Sequence, residues 1–134
     1  MIAKQYKEAY LESIVFTASP EKLTLILYAH LVMLIRQAQA GLEEKDLNKS
    51  HNSMVKAKKL IINLENTLDR KYKIADDLLA MYEYMYRRLT EANLKKDWDI
   101  LEETLSYARV LRDTWAEAVK IVREQKIIKK QNNK

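Results

Sequence analysis

Glycine and proline are almost absent from this chain, and that scarcity limits what the chain can fold into. Among 134 residues there is one glycine, Gly41, and one proline, Pro20. A β-rich domain of this length needs many tight turns, which draw heavily on glycine, proline and asparagine. Glycine-rich loops that let the backbone approach a phosphate are excluded for the same reason. The sequence therefore predicts an all-α domain.

The chain also lacks the residue patterns that support catalysis or metal binding. It has no cysteine, which removes disulfides, thiolate zinc sites, iron–sulfur clusters and cysteine nucleophiles. Its two histidines, His30 and His51, do not follow glutamate in the Glu-x-x-His spacing of di-iron bundles, and no HExxH motif is present. The sequence predicts no enzymatic activity, no metal site and no cofactor.

The excess positive charge is confined to one end of the chain. Residues 1–119 hold equal numbers of basic and acidic side chains, so the net charge of +5 comes entirely from residues 120–134. We expect residues 125–134 to be a disordered basic tail that aids solubility, the alternative being a functional basic arm. Nucleic-acid-binding proteins usually carry their basic patch on the folded domain, so no nucleic-acid partner is expected.

No segment has the character of a targeting or membrane signal. The most apolar run, Leu23 to Ile35, is shorter than the ~20 residues that a membrane-spanning helix needs. The N-terminal residues carry charges throughout and lack the apolar core of a secretory signal. The sequence therefore predicts a cytoplasmic protein without membrane insertion.

Apolar periodicity predicts four long helices and a shorter one before them. Ser19, Pro20 and Glu21 form the strongest helix start, because they suit the N-cap, the first helical position and the positive end of the dipole. The long helices cover about 20–40, 46–69, 74–95 and 97–124. Short connections between helices of this length favour antiparallel neighbours. The predicted fold is a single antiparallel up-down four-helix bundle, with residues 1–16 as a mobile N-terminal cap.

The first long helix carries more apolar surface than one core face can use. The positions that we assign to the core are Leu23, Leu27, Leu31, Leu34 and Ala38. The apolar positions outside that sector are predicted to line a groove, and they are Leu25, Tyr28, Ala29, Val32 and Ile35. A helix that is apolar nearly all round must be covered on its outer side.

The cap residues Tyr6, Tyr10 and Ile14 share one face of the short N-terminal helix. Either they cover the groove permanently, or they form a removable lid over a groove for an incoming helix. On the third helix, Tyr84 points away from the predicted core beside Arg88. This pair is either an incidental surface feature or a partner contact, since tyrosine and arginine are common at interface hot spots.

Three stretches of the chain form a combined pattern. The first is Tyr6-x3-Tyr10 followed by Thr17-Ala18-Ser19-Pro20-x2-Leu23-x3-Leu27-Tyr28, and the second is Leu64-x2-Thr67-Leu68-Asp69. The third is Met81-Tyr82-x-Tyr84-Met85-x-Arg87-Arg88-Leu89-x2-Ala92-Asn93, continuing to Arg112-x2-Trp115. In order and spacing these stretches resemble the flagellar secretion chaperone family FliS.

The resemblance implies a cytoplasmic helical bundle that holds the C-terminal region of newly made flagellin. In the family that region is disordered alone and folds into helices around the chaperone, which prevents premature polymerisation. The complex then delivers flagellin to the export gate of the flagellar type III secretion apparatus. The family's N-terminal segment can move aside on binding, which favours the removable lid. We expect a 1:1 complex, with a monomer or weak dimer when free; the alternative is a self-associating structural bundle without a flagellin client.

Two positions depart from the family pattern. Ala29 and His30 stand where Asp-Gly usually follows Leu-Tyr, so no aspartate role is transferred to Ala29. The family also tends to have glycine after Thr-Leu-Asp, whereas this chain continues with residues 70–73, Arg-Lys-Tyr-Lys. The turn between the second and third helices must therefore form without glycine.

Overall fold

The computed structural model describes residues 20–133, and within that range the chain forms four helices and no strand. The helices are α1 (Pro20–Glu43), α2 (Leu47–Asn66), α3 (Ala75–Lys95) and α4 (Trp98–Asn132). The prediction of an all-α four-helix bundle is confirmed. The predicted cap residues Tyr6, Tyr10 and Ile14 lie outside the described residues.

The helices form a ring in which each packs against two others. α1 and α3 each contact α2 and α4, and they face each other diagonally across the core. The end of α1 lies beside the start of α4, because Trp98 Nε1 donates a hydrogen bond to Glu43 Oε1 at 3.0 Å. At the other end of the bundle, Trp115 Nε1 donates to the backbone oxygen of Glu21 at 2.8 Å. α1 and α4 are therefore antiparallel.

The two short turns at one end of the bundle form without glycine. Asp46 caps α2 by accepting a hydrogen bond from the backbone N–H of Lys49 at 3.1 Å. Asp97 caps α4 by accepting from the backbone N–H of Asp99 at 2.9 Å. The left-handed positions that end the preceding helices are Lys45, with φ of 59°, and Lys96, with φ of 52°. Glycine is the usual residue at such positions, yet here lysine occupies both.

The single glycine lies inside α1, where it allows close approach to α2. A Cβ atom added to Gly41 would lie 2.6 Å from the backbone nitrogen of Ser50 and 2.9 Å from its Cα. Backbone atoms cannot rotate away, so a larger residue would push the two helices apart. Gly41 is thus required for packing between helices.

By length and composition α1 could span a membrane, with a mean hydropathy of 1.3 over its most apolar window. In the bundle, much of this apolar surface faces protein. Leu31, Ile35 and Ala38 are fully buried. A core helix of a bundle passes the same test as a spanning helix, so the hydropathy of α1 is explained by its place in the core.

α4 continues through residues that we expected to be disordered. It ends at Asn132, although a disordered tail was predicted from residue 125. Residues 120–130 contain neither glycine nor proline, and several are good helix formers. Lys129 and Lys130 in the last turn also interact favourably with the negative end of the helix dipole. Since Trp115 is level with the described start of α1, α4 extends past that point by about 25 Å at 1.5 Å per residue.

Candidate functional site

Three residues predicted to line the groove belong to the core instead. Tyr28, Val32 and Ile35 are 1%, 4% and 0% exposed, so the expectation of an open surface at these positions is corrected. The physical reason is that α1 packs against both α2 and α4. Two neighbours bury a wider sector of a helix than the single face assigned from the sequence. Only the edge of Val32 reaches the surface.

Tyr28 holds three helices together. Its hydroxyl is hydrogen-bonded to that of Tyr82 on α3, and its ring meets Trp115 of α4 edge-on, with centroids 6.2 Å apart. Burial raises the pKa of Tyr28, the bond to Tyr82 acting in the opposite direction, and burial also raises the pKa of Tyr82. Both hydroxyls are therefore neutral in the folded protein, and their role is structural.

The outer side of α1 keeps a narrow apolar stripe. Leu25, Ala29 and Met33 follow one another at four-residue spacing, which places them on one face of the helix. Leu25 is half-buried and Ala29 is exposed, while Met33 is 36% exposed. Of the predicted groove residues on α1, Leu25 and Ala29 thus remain at the surface.

A shallow groove runs between this stripe and α4. Its apolar lining comes from Ala29, Val32, Met33 and Ala40. Its charged rim is formed by Arg36 and Glu43 of α1 and by Arg112 of α4. Gln37 and Gln39 also line it, so the groove is mixed, with apolar side chains beside amides and charges. We call this surface the α1–α4 groove.

A second apolar groove lies on the same pair of helices, beside the first turn of α1. Its floor consists of Trp115, Ala118, Val119 and Val122. The spacing of Trp115, Val119 and Val122 continues the buried face of α4. Trp115 still packs against the core, whereas Val122 is exposed. α4 is longer than α1, so within residues 20–133 its last apolar positions face no opposite helix.

Tyr84 and Arg88 lie on a different face, at the junction of α3 and α4. Tyr84 Oη donates a hydrogen bond to Glu103 Oε1 at 2.6 Å, and Arg88 Nε donates to the same oxygen at 3.1 Å. The ring of Tyr84 also meets Tyr107 edge-on at 5.7 Å. These two hydrogen bonds hold the pKa of Glu103 below its usual range, and the bond from Tyr84 has the larger effect. The two residues are half-buried, connect α3 to α4 and do not line the α1–α4 groove.

The remaining titratable candidates do not assemble into a site. His30 is half-buried, and burial, with the nearby charge of Lys56, lowers its pKa. His51 lies on α2, where it is hydrogen-bonded to Asn93 of α3. Across residues 20–133 there is no group of three or more histidine, aspartate or glutamate side chains placed to hold a metal ion.

Comparison with known proteins identifies the family to which this helical chain belongs. The model of the protein family described as "Flagellar protein FliS" matches residues 2–122. The chain is 37% identical over 118 residues to the flagellar secretion chaperone FliS of Bacillus subtilis, covering 88% of this chain and 89% of that protein. It is 31% identical to the Escherichia coli protein of the same name, covering 85% of this chain and 86% of that protein. The chain therefore belongs to the FliS family and is a flagellar secretion chaperone.

Proposed function

We propose that this protein is a cytoplasmic export chaperone for flagellin. It binds the disordered C-terminal region of flagellin in a 1:1 complex, prevents premature polymerisation and delivers the client to the export gate of the flagellar type III secretion apparatus. Its membership of a secretion-chaperone family supports the general role. The observation that carries the proposal is the apolar stripe on the outer side of α1, where Leu25 is half-buried and Ala29 and Met33 are exposed.

The α1–α4 groove suits an amphipathic helix. Such helices dock through apolar anchors spaced at i, i+3, i+4 and i+7, and the stripe on α1 offers complementary apolar positions at helical spacing. Ala29 and Ala40 are small, so a client helix can come close to the backbone of α1. Arg36, Glu43 and Arg112 at the rim provide charges that can set the direction of the client.

The driving force is coupled folding and binding. Interfaces of this kind bury about 1,000–3,000 Å² and give up several kcal/mol to ordering the client. At about 25 cal/mol per Å² of apolar surface, contact with the exposed helix faces is enough to drive association without a cofactor. A client that folds around several faces would also reach Tyr84 and Arg88, which we keep as secondary contacts.

The N-terminal cap belongs to the same proposal. We assign Tyr6, Tyr10 and Ile14 to a removable lid over the apolar surface of α1, since their four-residue spacing gives one apolar face. Deleting residues 1–16 should increase binding of a hydrophobic dye and change the affinity for a flagellin C-terminal peptide. If the deletion changes neither, the lid is refuted.

A pair of alanine substitutions tests the groove. Ala29 on α1 and Ala80 on α3 are both exposed helical alanines, so replacement by arginine costs a similar amount of folding stability at each. Ala29→Arg should weaken binding of a flagellin C-terminal peptide at least tenfold, about 1.4 kcal/mol, because the long side chain fills the groove. Ala80→Arg should change the affinity less than about twofold. Titration calorimetry measures both, and equal effects at the two positions would refute the groove.

Mass measurement separates this function from the self-associating alternative. Light scattering should show a monomer or weak dimer that becomes a 1:1 complex when the peptide is added. A tight dimer that ignores the peptide would support a structural bundle without a flagellin client.

A further inference from the structure

The end of α4 is a positively charged helical arm outside the bundle. We define the basic arm as residues 120–132, all of which are exposed. It carries five cationic side chains, Lys120, Arg123, Lys126, Lys129 and Lys130, against one acidic side chain, Glu124. The match to the FliS family ends at residue 122, so most of the basic arm lies beyond the part of the chain that the family shares.

The helix dipole accounts for the position of only some of these cationic side chains. Lys129 and Lys130 lie in the last turn, where cations are favoured by the negative end of the helix. Lys120, Arg123 and Lys126 lie further back, where the dipole effect has fallen off. Within residues 20–133 none of these three forms an ion pair. Their positive potential is therefore available to an anionic partner.

An apolar floor adjoins the charges. Trp115, Val119, Val122 and Lys126 are spaced so that they lie on one face of α4. Val122 is 45% exposed. Arg123 and Lys126 line the same groove as the apolar residues, together with Glu21 and Lys22 of α1, so cations outnumber the one carboxylate there. The face is thus apolar beside the bundle and basic toward the tip of the arm.

We propose that the basic arm binds an acidic amphipathic helix from a second protein, at a site separate from the α1–α4 groove. The apolar side of that helix would cover Trp115, Val119 and Val122, and its carboxylates would face Arg123 and Lys126. Charge complementarity selects this occupant. Two copies paired arm to arm would place cations against cations, which costs free energy.

Other occupants satisfy only part of the surface. Residues 1–19 contain two lysines and two glutamates, so they can cover the apolar floor but cannot neutralise the arm. Nucleic acid would leave the apolar floor uncovered. A membrane surface requires apolar residues along one face, whereas Ile121 and Ile128 lie about 100° or more away from Val122 around the helix.

Binding of synthetic peptides to the full chain tests the proposal. The probe is an amphipathic peptide of about five helical turns, with leucine along one face and glutamate on its flanks. Its control has glutamine at every glutamate position. Fluorescence anisotropy should show the glutamate peptide binding at least about tenfold more tightly than the control, with the advantage shrinking as salt is raised.

Substitutions locate the site. Arg123→Gln with Lys126→Gln should weaken the glutamate peptide about threefold to tenfold at low salt, and Val122→Ser should weaken both peptides. Lys56→Gln with Lys59→Gln removes two exposed charges from α2 and should leave binding within about twofold. All these side chains except Val122 are charged and exposed, so circular dichroism should show the helix content unchanged.

Several results would overturn the proposal. Equal losses in the α2 control variant would show nonspecific attraction to net charge. Tighter binding to duplex DNA, or to vesicles containing phosphatidylserine, would assign the basic arm to a different partner. If the arm variant also weakened binding of the flagellin C-terminal peptide, the basic arm would be part of the client site.

Failure of the Ala29→Arg test alone would refute the proposed α1–α4 groove and would not affect the proposal for the basic arm.

Discussion

The paired hydroxyls of Tyr28 and Tyr82 allow a quantitative test of how the core is built. Both side chains are buried, at 1% and 2% exposure, and each hydroxyl is hydrogen-bonded to the other. Replacing one tyrosine by phenylalanine removes this bond and leaves the remaining hydroxyl buried without its partner. That situation costs about 1–3 kcal/mol, so Tyr28→Phe and Tyr82→Phe should each lower the free energy of unfolding by this amount.

The double variant should be more stable than the sum of the two losses predicts. Replacing both partners by apolar groups of the same shape can be nearly neutral, so the coupling free energy between the substitutions should be about 2 kcal/mol or more. Urea denaturation measures this coupling free energy, with unfolding monitored by circular dichroism and by tryptophan fluorescence, to which Trp115 beside the Tyr28 ring contributes. Tyr72→Phe is the matched control, because Tyr72 is 67% exposed and should change stability by less than about 0.5 kcal/mol. If the losses of unfolding free energy were additive in the double variant, the hydrogen bond between the two hydroxyls would be refuted.

The same variants separate a core role for Tyr28 from a role in client binding. The double variant should keep its bundle, and its affinity for a flagellin C-terminal peptide should change less than about twofold. A large loss of affinity at unchanged stability would show that Tyr28 contacts the client.

Two further predictions follow from the packing and the surface charges. Gly41→Ala should lower the free energy of unfolding by about 1–2 kcal/mol in urea denaturation, because crowding against Ser50 outweighs the gain in helix propensity; a more stable variant would contradict the close approach. The hydrogen bonds from Tyr84 and Arg88 lower the pKa of Glu103. They therefore stabilise the folded protein fully above the ordinary carboxyl pKa of about 4.3. This stabilisation is lost as the pH falls through the lowered pKa of Glu103. Glu103→Gln should therefore reduce the melting temperature near neutral pH and show a smaller further drop on acidification, whereas parallel pH profiles would show that the contact contributes nothing.

The fold class and several helix ends follow from the sequence because their causes are local. Scarcity of glycine and proline disfavours tight turns and leaves long uninterrupted helices. Pro20, the first described residue, is already helical, and it stands with Glu21 in the first described turn of α1. α4 begins after the Asp97 cap, within the predicted range. The motifs in the Thr-Ala-Ser-Pro and Tyr-Met-Tyr-Arg-Arg-Leu segments also led to the family that the comparisons establish.

The exposed faces were decided by tertiary structure, because they depend on which helices are neighbours and how long each one is. The position of α1 between α2 and α4 buries Tyr28, Val32 and Ile35, leaving Leu25 and Ala29 at the surface. Tyr84 finds its partner Glu103 on the next helix, a contact that helical periodicity does not reveal. Val119 and Val122 have the spacing of core residues, yet they line a surface groove, because α4 extends past the first turn of α1. Periodicity identifies an apolar face, and only the packed bundle shows whether another helix covers it.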